Sequence, residues 1–113
     1  MLSEEERFRL FKLLEANPQM SQRDVARELD ISLGKVNYCL AAFVRRGWVK
    51  ASNFKNSKNK AAYMYLLTPR GFEEKARVTM RFLQARIDEY EALKDEIHAL
   101  RTEVEQKTEV EGQ

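Results

Sequence analysis

Lys35, Asn37 and Tyr38 follow closely on Ser32, Leu33 and Gly34, and Arg45 stands two turns of helix further on. An asparagine amide offers a donor and an acceptor side by side, which matches the edge of an adenine. A lysine ammonium reaches guanine or a phosphate. A tyrosine can bond a phosphate or pack on a thymine methyl. Glycine lets a backbone approach a bulky partner closely. Such a set hydrogen-bonds to base edges and phosphates; it does not break covalent bonds.

The elements that must position these residues lie between Ser21 and Trp48. Ser21 can cap a first helix, with Asp24 three residues later as in a capping box. Val25, Ala26 and Leu29 form its apolar stripe. Asp30 and Ile31 break the pattern, and Ser32 can cap a second helix. There Val36, Cys39, Leu40, Phe43 and Val44 recur at helical spacing, and Gly47 follows as a stop. Two short amphipathic helices joined so tightly make a helix-turn-helix. With the apolar stripe inward, Leu33, Gly34, Lys35, Asn37, Tyr38, Ala41 and Arg45 face outward. The first turn of this second helix is the part that enters a major groove in the motif. Ser21, Gln22 and Arg23, at the start of the motif, join the candidate DNA-contacting set.

Charge points the same way. The net charge of +2 conceals an asymmetry: Met1 to Thr68 carries twelve Lys and Arg against seven Asp and Glu, and Pro69 to Gln113 carries eight against eleven. No acidic residue falls between Ile31 and Phe72, a window that holds Lys35, Arg45, Arg46, Lys50, Lys55, Lys58, Lys60 and Arg70. A one-sign patch of this length suits an anionic partner, usually nucleic acid. Within it, Trp48 to Phe54 and Lys60 to Leu67 read as two strands. The link between them, Lys55, Asn56, Ser57, Lys58 and Asn59, with Lys60, reads as a basic hairpin tip able to straddle phosphates or enter a minor groove. Alternation puts Tyr63 and Tyr65 on one face and Met64 and Leu66 on the other.

The ends of the chain frame this unit. Glu4 to Ala16 reads as a helix capped by Ser3, with Glu4, Glu5 and Glu6 at the positive end of its dipole. Leu10, Phe11, Leu13 and Leu14 form its apolar face, Phe8 lies at the edge, and Asn17 and Pro18 end it. Thr68 and Pro69 open a last helix that nothing stops until about Gln106, a span of roughly 57 Å at the standard helical rise. Phe72, Ala76, Met80 and Phe82 are expected to anchor it. Beyond them Leu83, Tyr90, Ile97 and Val104 are spaced by seven, with Leu93 and Leu100 between. This is a heptad with a at 83, 90, 97 and 104 and d at 86, 93, 100 and 107, of which Arg86 and Lys107 are not apolar. A self-associating, dimeric coiled coil is the expected use of Leu83, Tyr90, Leu93, Ile97, Leu100 and Val104. A strut folding back on the first helix is the alternative. Ile at a with Leu at d leans towards two parallel strands, in a run too short to fix direction.

The fold class expected is therefore mainly α with a two-stranded β wing: a winged helix-turn-helix domain over residues 1–68 and a long helix over 69–113. The chain, 113 residues with 34% charged, has no glycine-rich phosphate loop, no paired cysteines and no histidine beside a nucleophile. His98, the sole histidine, falls at a b position of the coil. Neither an enzyme nor a metal or cofactor site is expected. A single cysteine, Cys39, sits on an apolar stripe as a core residue and fits a reducing, cytoplasmic compartment. The acidic start, Met1 to Glu6, is not expected to be a signal peptide, and no apolar run is long enough to span a bilayer.

The order of elements, together with Ser21 to Leu29, Ile31 and Ser32, Phe43 to Val49, and Leu67 to Gly71, resembles the winged helix-turn-helix regulators of the MarR type, over about Phe8 to Phe72. Leu29 to Leu40 resembles, more narrowly, the small MarR-like regulators associated with exopolysaccharide gene clusters. The resemblance implies a bacterial DNA-binding dimer. Leu33, Gly34, Lys35, Asn37 and Tyr38 would read the major groove, and Lys55 to Lys60 would form the wing. Typical members have an extra N-terminal helix that builds the dimer and frames a ligand pocket. Here the first helix begins almost at residue 3, so the dimer is expected to rest on the last helix, and the resemblance names no small-molecule effector. The expected function is a homodimeric repressor on an inverted-repeat site in double-stranded DNA. The alternative is a protein-interaction adaptor that uses the same surfaces without specific DNA binding. RNA or single-stranded binding is less expected, since few aromatics beyond Tyr38 are available for base stacking.

Overall fold

Ser3, Ser21 and Ser32 each start a helix. In the computed structural model, which describes residues 2–54 and 62–111, the order is α1 (Glu4–Ala16), α2 (Gln22–Leu29), α3 (Leu33–Arg45), β1 (Val49–Phe54), β2 (Ala62–Leu67) and α4 (Pro69–Glu111). Ser3 with Glu6, and Ser21 with Asp24, close full capping boxes. The Ser32 hydroxyl accepts from the Lys35 amide at 3.1 Å. Each cap satisfies backbone donors that the first helical turn leaves unpaired. Between α2 and α3 the chain turns on Asp30, which adopts left-handed backbone geometry (φ 55). Asparagine and aspartate tolerate that region better than other non-glycine residues.

The core gathers Leu10, Phe11, Leu14, Val25, Leu29, Val36, Leu40, Phe43, Val49 and Val78, all buried. Phe11, Phe43 and Trp48 form an aromatic triad with ring centroids 4.8, 5.2 and 5.9 Å apart. The α3 helix ends in a Schellman motif: the Gly47 amide bonds the Val44 carbonyl and the Trp48 amide the Phe43 carbonyl, each at 3.0 Å, with Gly47 at φ 75. Trp48 therefore belongs to the turn, and β1 begins at Val49. The two strands pair antiparallel from Val49 against Leu67 to Phe54 against Ala62. Tyr65 occupies the buried face of β2, and its amide bonds the Pro18 carbonyl at 3.0 Å.

Four sequence-based expectations change. The β1 start at Trp48 is one. Val44 lies outside the α3 stripe, 39% exposed, because eight residues at 100° per residue carry it about 80° round from Val36. The last helix runs past Gln106 to Glu111. Its anchoring face also differs. Phe72, Ala76 and Met80 are exposed, while Gly71 and Val78 are buried and Phe82 stacks on Phe8 at 4.7 Å. The cause is steric. Gly71 lies so close to Trp48 that a Cβ there would sit 1.9 Å from the Trp48 carbonyl oxygen. That contact fixes the rotation of α4, and a residue one step on points about 100° away. Lys75 pairs with Glu15, and Arg81 with Glu4 at 3.3 Å, on the same side.

By its internal contacts the chain resolves into two units, Met1–Phe82 and Leu83–Gln113. Every side chain from Leu83 to Glu109 is exposed. No helix among the described residues is long and apolar enough to cross a membrane.

Gly71→Ala should destabilise the first unit by at least about 1–3 kcal/mol, the usual cost of forcing atoms into a packed site. Denaturant unfolding followed by the fluorescence of Trp48 would measure it. In contrast, a Cβ on Gly34 meets nothing within 4 Å among the described residues. Gly34→Ala should therefore leave stability unchanged or raise it by up to about 1 kcal/mol, the helix preference of alanine over glycine.

Candidate nucleic-acid interface

The first turns of α3 stand proud of the core. Leu33 is 40% and Tyr38 62% exposed, and Ser32, Gly34, Asn37, Ala41 and Arg45 are exposed with them. The first turn holds no acidic residue. Its backbone N–H groups thus keep the positive end of the helix dipole uncompensated by carboxylates of the same turn, an arrangement that favours phosphate. Of the residues expected to read bases, Leu33, Gly34, Asn37 and Tyr38 share this open surface. Lys35 is half-buried; its ammonium lies 3.5 Å from the Glu6 carboxylate of α1. The Ser3 backbone N–H, then the Ser3 hydroxyl and Lys35, hold the Glu6 carboxyl below the ordinary carboxylate range. Glu6 therefore stays charged and keeps Lys35 tethered beside the helix start.

Asn37 is held from behind. Its side-chain N–H donates to the Gln22 Oε1 at 3.2 Å, and the Gln22 Nε2 donates to the Tyr65 hydroxyl at 2.9 Å. This relay joins α3, α2 and β2. The Asn37 amide nitrogen carries two hydrogens, and the bond to Gln22 uses one. The second hydrogen and the carbonyl oxygen remain to face a base edge, with their direction set by Gln22. Sequence reasoning placed Gln22 in the contacting set but not in this role. Its partners lie 15 and 43 residues away, a separation no local pattern reveals. Ser21 is occupied as the α2 cap, and Arg23 is exposed on the first turn of α2. The hairpin tip, Lys55 to Lys60, lies outside the described residues.

Beside this surface, Arg7 of α1, Arg45 of α3, Arg46 at the α3 C-cap and Glu74 of α4 line a hollow of about 450 Å³. These four residues come from separate parts of the chain, so no local sequence pattern groups them. Arg46 also lies over the Trp48 ring at 5.3 Å. Cys39 lines the same hollow but is itself buried, and burial pushes its thiol up, away from the nucleophilic thiolate. Among the described residues no group of three or more His, Cys, Asp or Glu could hold a metal ion.

Residues 7–50 match the family described as winged helix-turn-helix DNA-binding. The structure is similar to the PcaV transcriptional regulator from Streptomyces coelicolor, with a TM-score of 0.60 and 18% identity over 88% of this chain and 78% of that one. It is similar to a MarR transcriptional regulator from Methanosarcina mazei, with a TM-score of 0.55 and 16% identity over 74% and 60%. It is also similar to FabT from Streptococcus pneumoniae, solved in complex with DNA, with a TM-score of 0.54 and 23% identity over 78% and 59%. The fold is a winged helix-turn-helix, shared with these structures. No curated protein matches the sequence. The chain spans 54% of the length of PcaV in its ligand-bound structure, so what those regulators do as whole proteins is not carried over by the fold alone.

If Gln22 aims Asn37, Gln22→Ala should cost about 0.5–1.5 kcal/mol of discrimination between a selected and a scrambled duplex, the worth of one such hydrogen bond. Fluorescence anisotropy with both duplexes would read it. Tyr65→Phe, which removes the far end of the relay, should produce a smaller loss in the same direction.

Proposed function

We propose that this chain is a transcriptional regulator, a homodimer that reads an inverted repeat in double-stranded DNA and acts there as a repressor. The observation that carries the reading is the start of α3: an exposed, carboxylate-free helical turn with Asn37 pre-aimed by Gln22. In this reading Leu33, Gly34, Asn37 and Tyr38 enter the major groove. Lys35 and Arg45 meet phosphates, as do Ser21 and Arg23 at the edge of the motif, while Gln22 supports Asn37 from behind. Lys55 to Lys60 serve as the wing. FabT, similar in fold, was solved in complex with DNA, which supports DNA as the partner. Dimerisation through α4 would set two such helices on one face of the duplex, about 34 Å apart. The resemblance of Leu29 to Leu40 supports a setting near exopolysaccharide genes.

The test is binding to duplexes selected from a random pool, across a salt series. Affinity should fall steeply with salt, by about 0.9 log units per log unit of salt for each phosphate neutralised. Asn37→Ala should lose about 1–3 kcal/mol at one base position, roughly 5- to 150-fold, while binding scrambled duplexes as before. Lys55→Glu with Lys58→Glu should weaken binding to every duplex and flatten the salt slope. Equal affinity of the intact chain for selected and scrambled duplexes would overturn the reading. An adaptor that binds protein instead would be indifferent to the wing reversal.

A further inference from the structure

We propose that the exposed seam of α4 is occupied by a second copy of this chain lying parallel and in register. The inference rests on the dimer reading above and adds its direction, which the seam alone does not give.

The seam residues Leu83, Tyr90, Leu93, Ile97, Leu100 and Val104 are between 42% and 63% exposed in the single chain. The flanks supply the direction. In the heptad that places these residues at a and d, the g positions are Glu89, Glu96 and Glu103, and the e positions include Lys94 and Arg101. In two parallel helices in register, g of one heptad faces e of the next heptad on the other helix. Glu89 then meets the partner's Lys94, and Glu96 meets the partner's Arg101; symmetry doubles both pairs. In an antiparallel arrangement g faces g and e faces e. The same residues would then set glutamate against glutamate and cation against cation, a pattern that works against pairing. Flank charge thus favours one direction and penalises the other.

Three features support the geometry. Ile97 and Val104, β-branched, stand at a with Leu93 and Leu100 at d, the combination that suits two parallel strands. Arg86, the cation at a d position, is drawn to the flank by Glu89 at 2.8 Å. The Lys94 ammonium lies over the Tyr90 ring, 5.9 Å from its centroid, beside the seam. Register follows from the ends. Sliding one copy by a heptad would set Arg86 against the partner's Leu93 and Lys107 against the partner's Leu100, and remove a leucine layer.

The test exchanges the flank charges in the full chain: Glu89→Lys, Glu96→Lys, Lys94→Glu and Arg101→Glu together. Alone, this variant should dimerise as the original does, because each parallel pair is reversed but kept. Mixed in equal amounts with isotope-labelled original chain and weighed by native mass spectrometry, it should self-sort. Mixed dimers should fall below about one in ten, against the one in two of random exchange. Preferred mixing, which antiparallel pairing demands, would overturn the parallel direction, and so would random mixing. A single chain for both proteins at micromolar concentration would overturn the dimer reading itself, a different failure. Should the four-fold variant not fold, Lys107→Cys decides: at a d position near one end of the seam it cross-links to its own copy under mild oxidation only if the helices run parallel. The buried Cys39 of the unaltered chain gives the baseline.

Discussion

The joint between Gly47, Trp48, Thr68 and Gly71 is the constraint on which the rest of the first unit depends. The Thr68 hydroxyl donates to the Gly47 carbonyl and accepts from the Gly71 amide, and the Thr68 amide donates to the Trp48 carbonyl at 3.0 Å. One residue therefore ties the exit of α3 to the start of α4, while β1 and β2 leave and return between them. Gly71 makes the tie possible, since any side chain there would collide with the Trp48 carbonyl. The rotation of α4 follows from that contact. So does the division of its face into a buried side, with Val78, and an open one that begins at Phe72.

The surface that reads DNA in this proposal is supported from beneath by polar contacts rather than by burial. Asn37 leans on Gln22 and Gln22 on Tyr65, while Lys35 is held by Glu6. The core beneath, Val36, Leu40 and Phe43, packs on Phe11 and Val25 and holds the helix itself. Division of labour of this kind lets outward residues vary with little effect on the fold. Gly34 illustrates it: among the described residues nothing stands within 4 Å of a Cβ there, and the proposal gives it a close approach to the duplex.

Much of this was legible in the sequence, and the part that was not shares one character. The three serine caps, the turn at Asp30, the stop at Gly47 and the helical stripes depend on residues within a turn or two, so local pattern reveals them. The α1 boundaries, Glu4–Ala16, and the Ser32 start of α3 agree with that reading. The anchoring face of α4 depends on a carbonyl 23 residues back along the chain, at Trp48. Hydrophobicity alone suggested Phe72 and Met80, and the structure uses Gly71 and Val78 instead. The Gln22 relay and the arginines round the hollow are long-range in the same sense. The basic hairpin tip, plain in the sequence, falls outside the described residues.

Two copies of α3 delivered to one duplex by paired α4 helices is the central claim, and its stoichiometry can be weighed. Native mass spectrometry of the intact chain with a selected duplex in excess should show two chains on each bound duplex and no complex holding one. Excess DNA cannot split a preformed dimer onto separate duplexes, so that result would be specific. A prevailing complex of one chain and one duplex would contradict the claim.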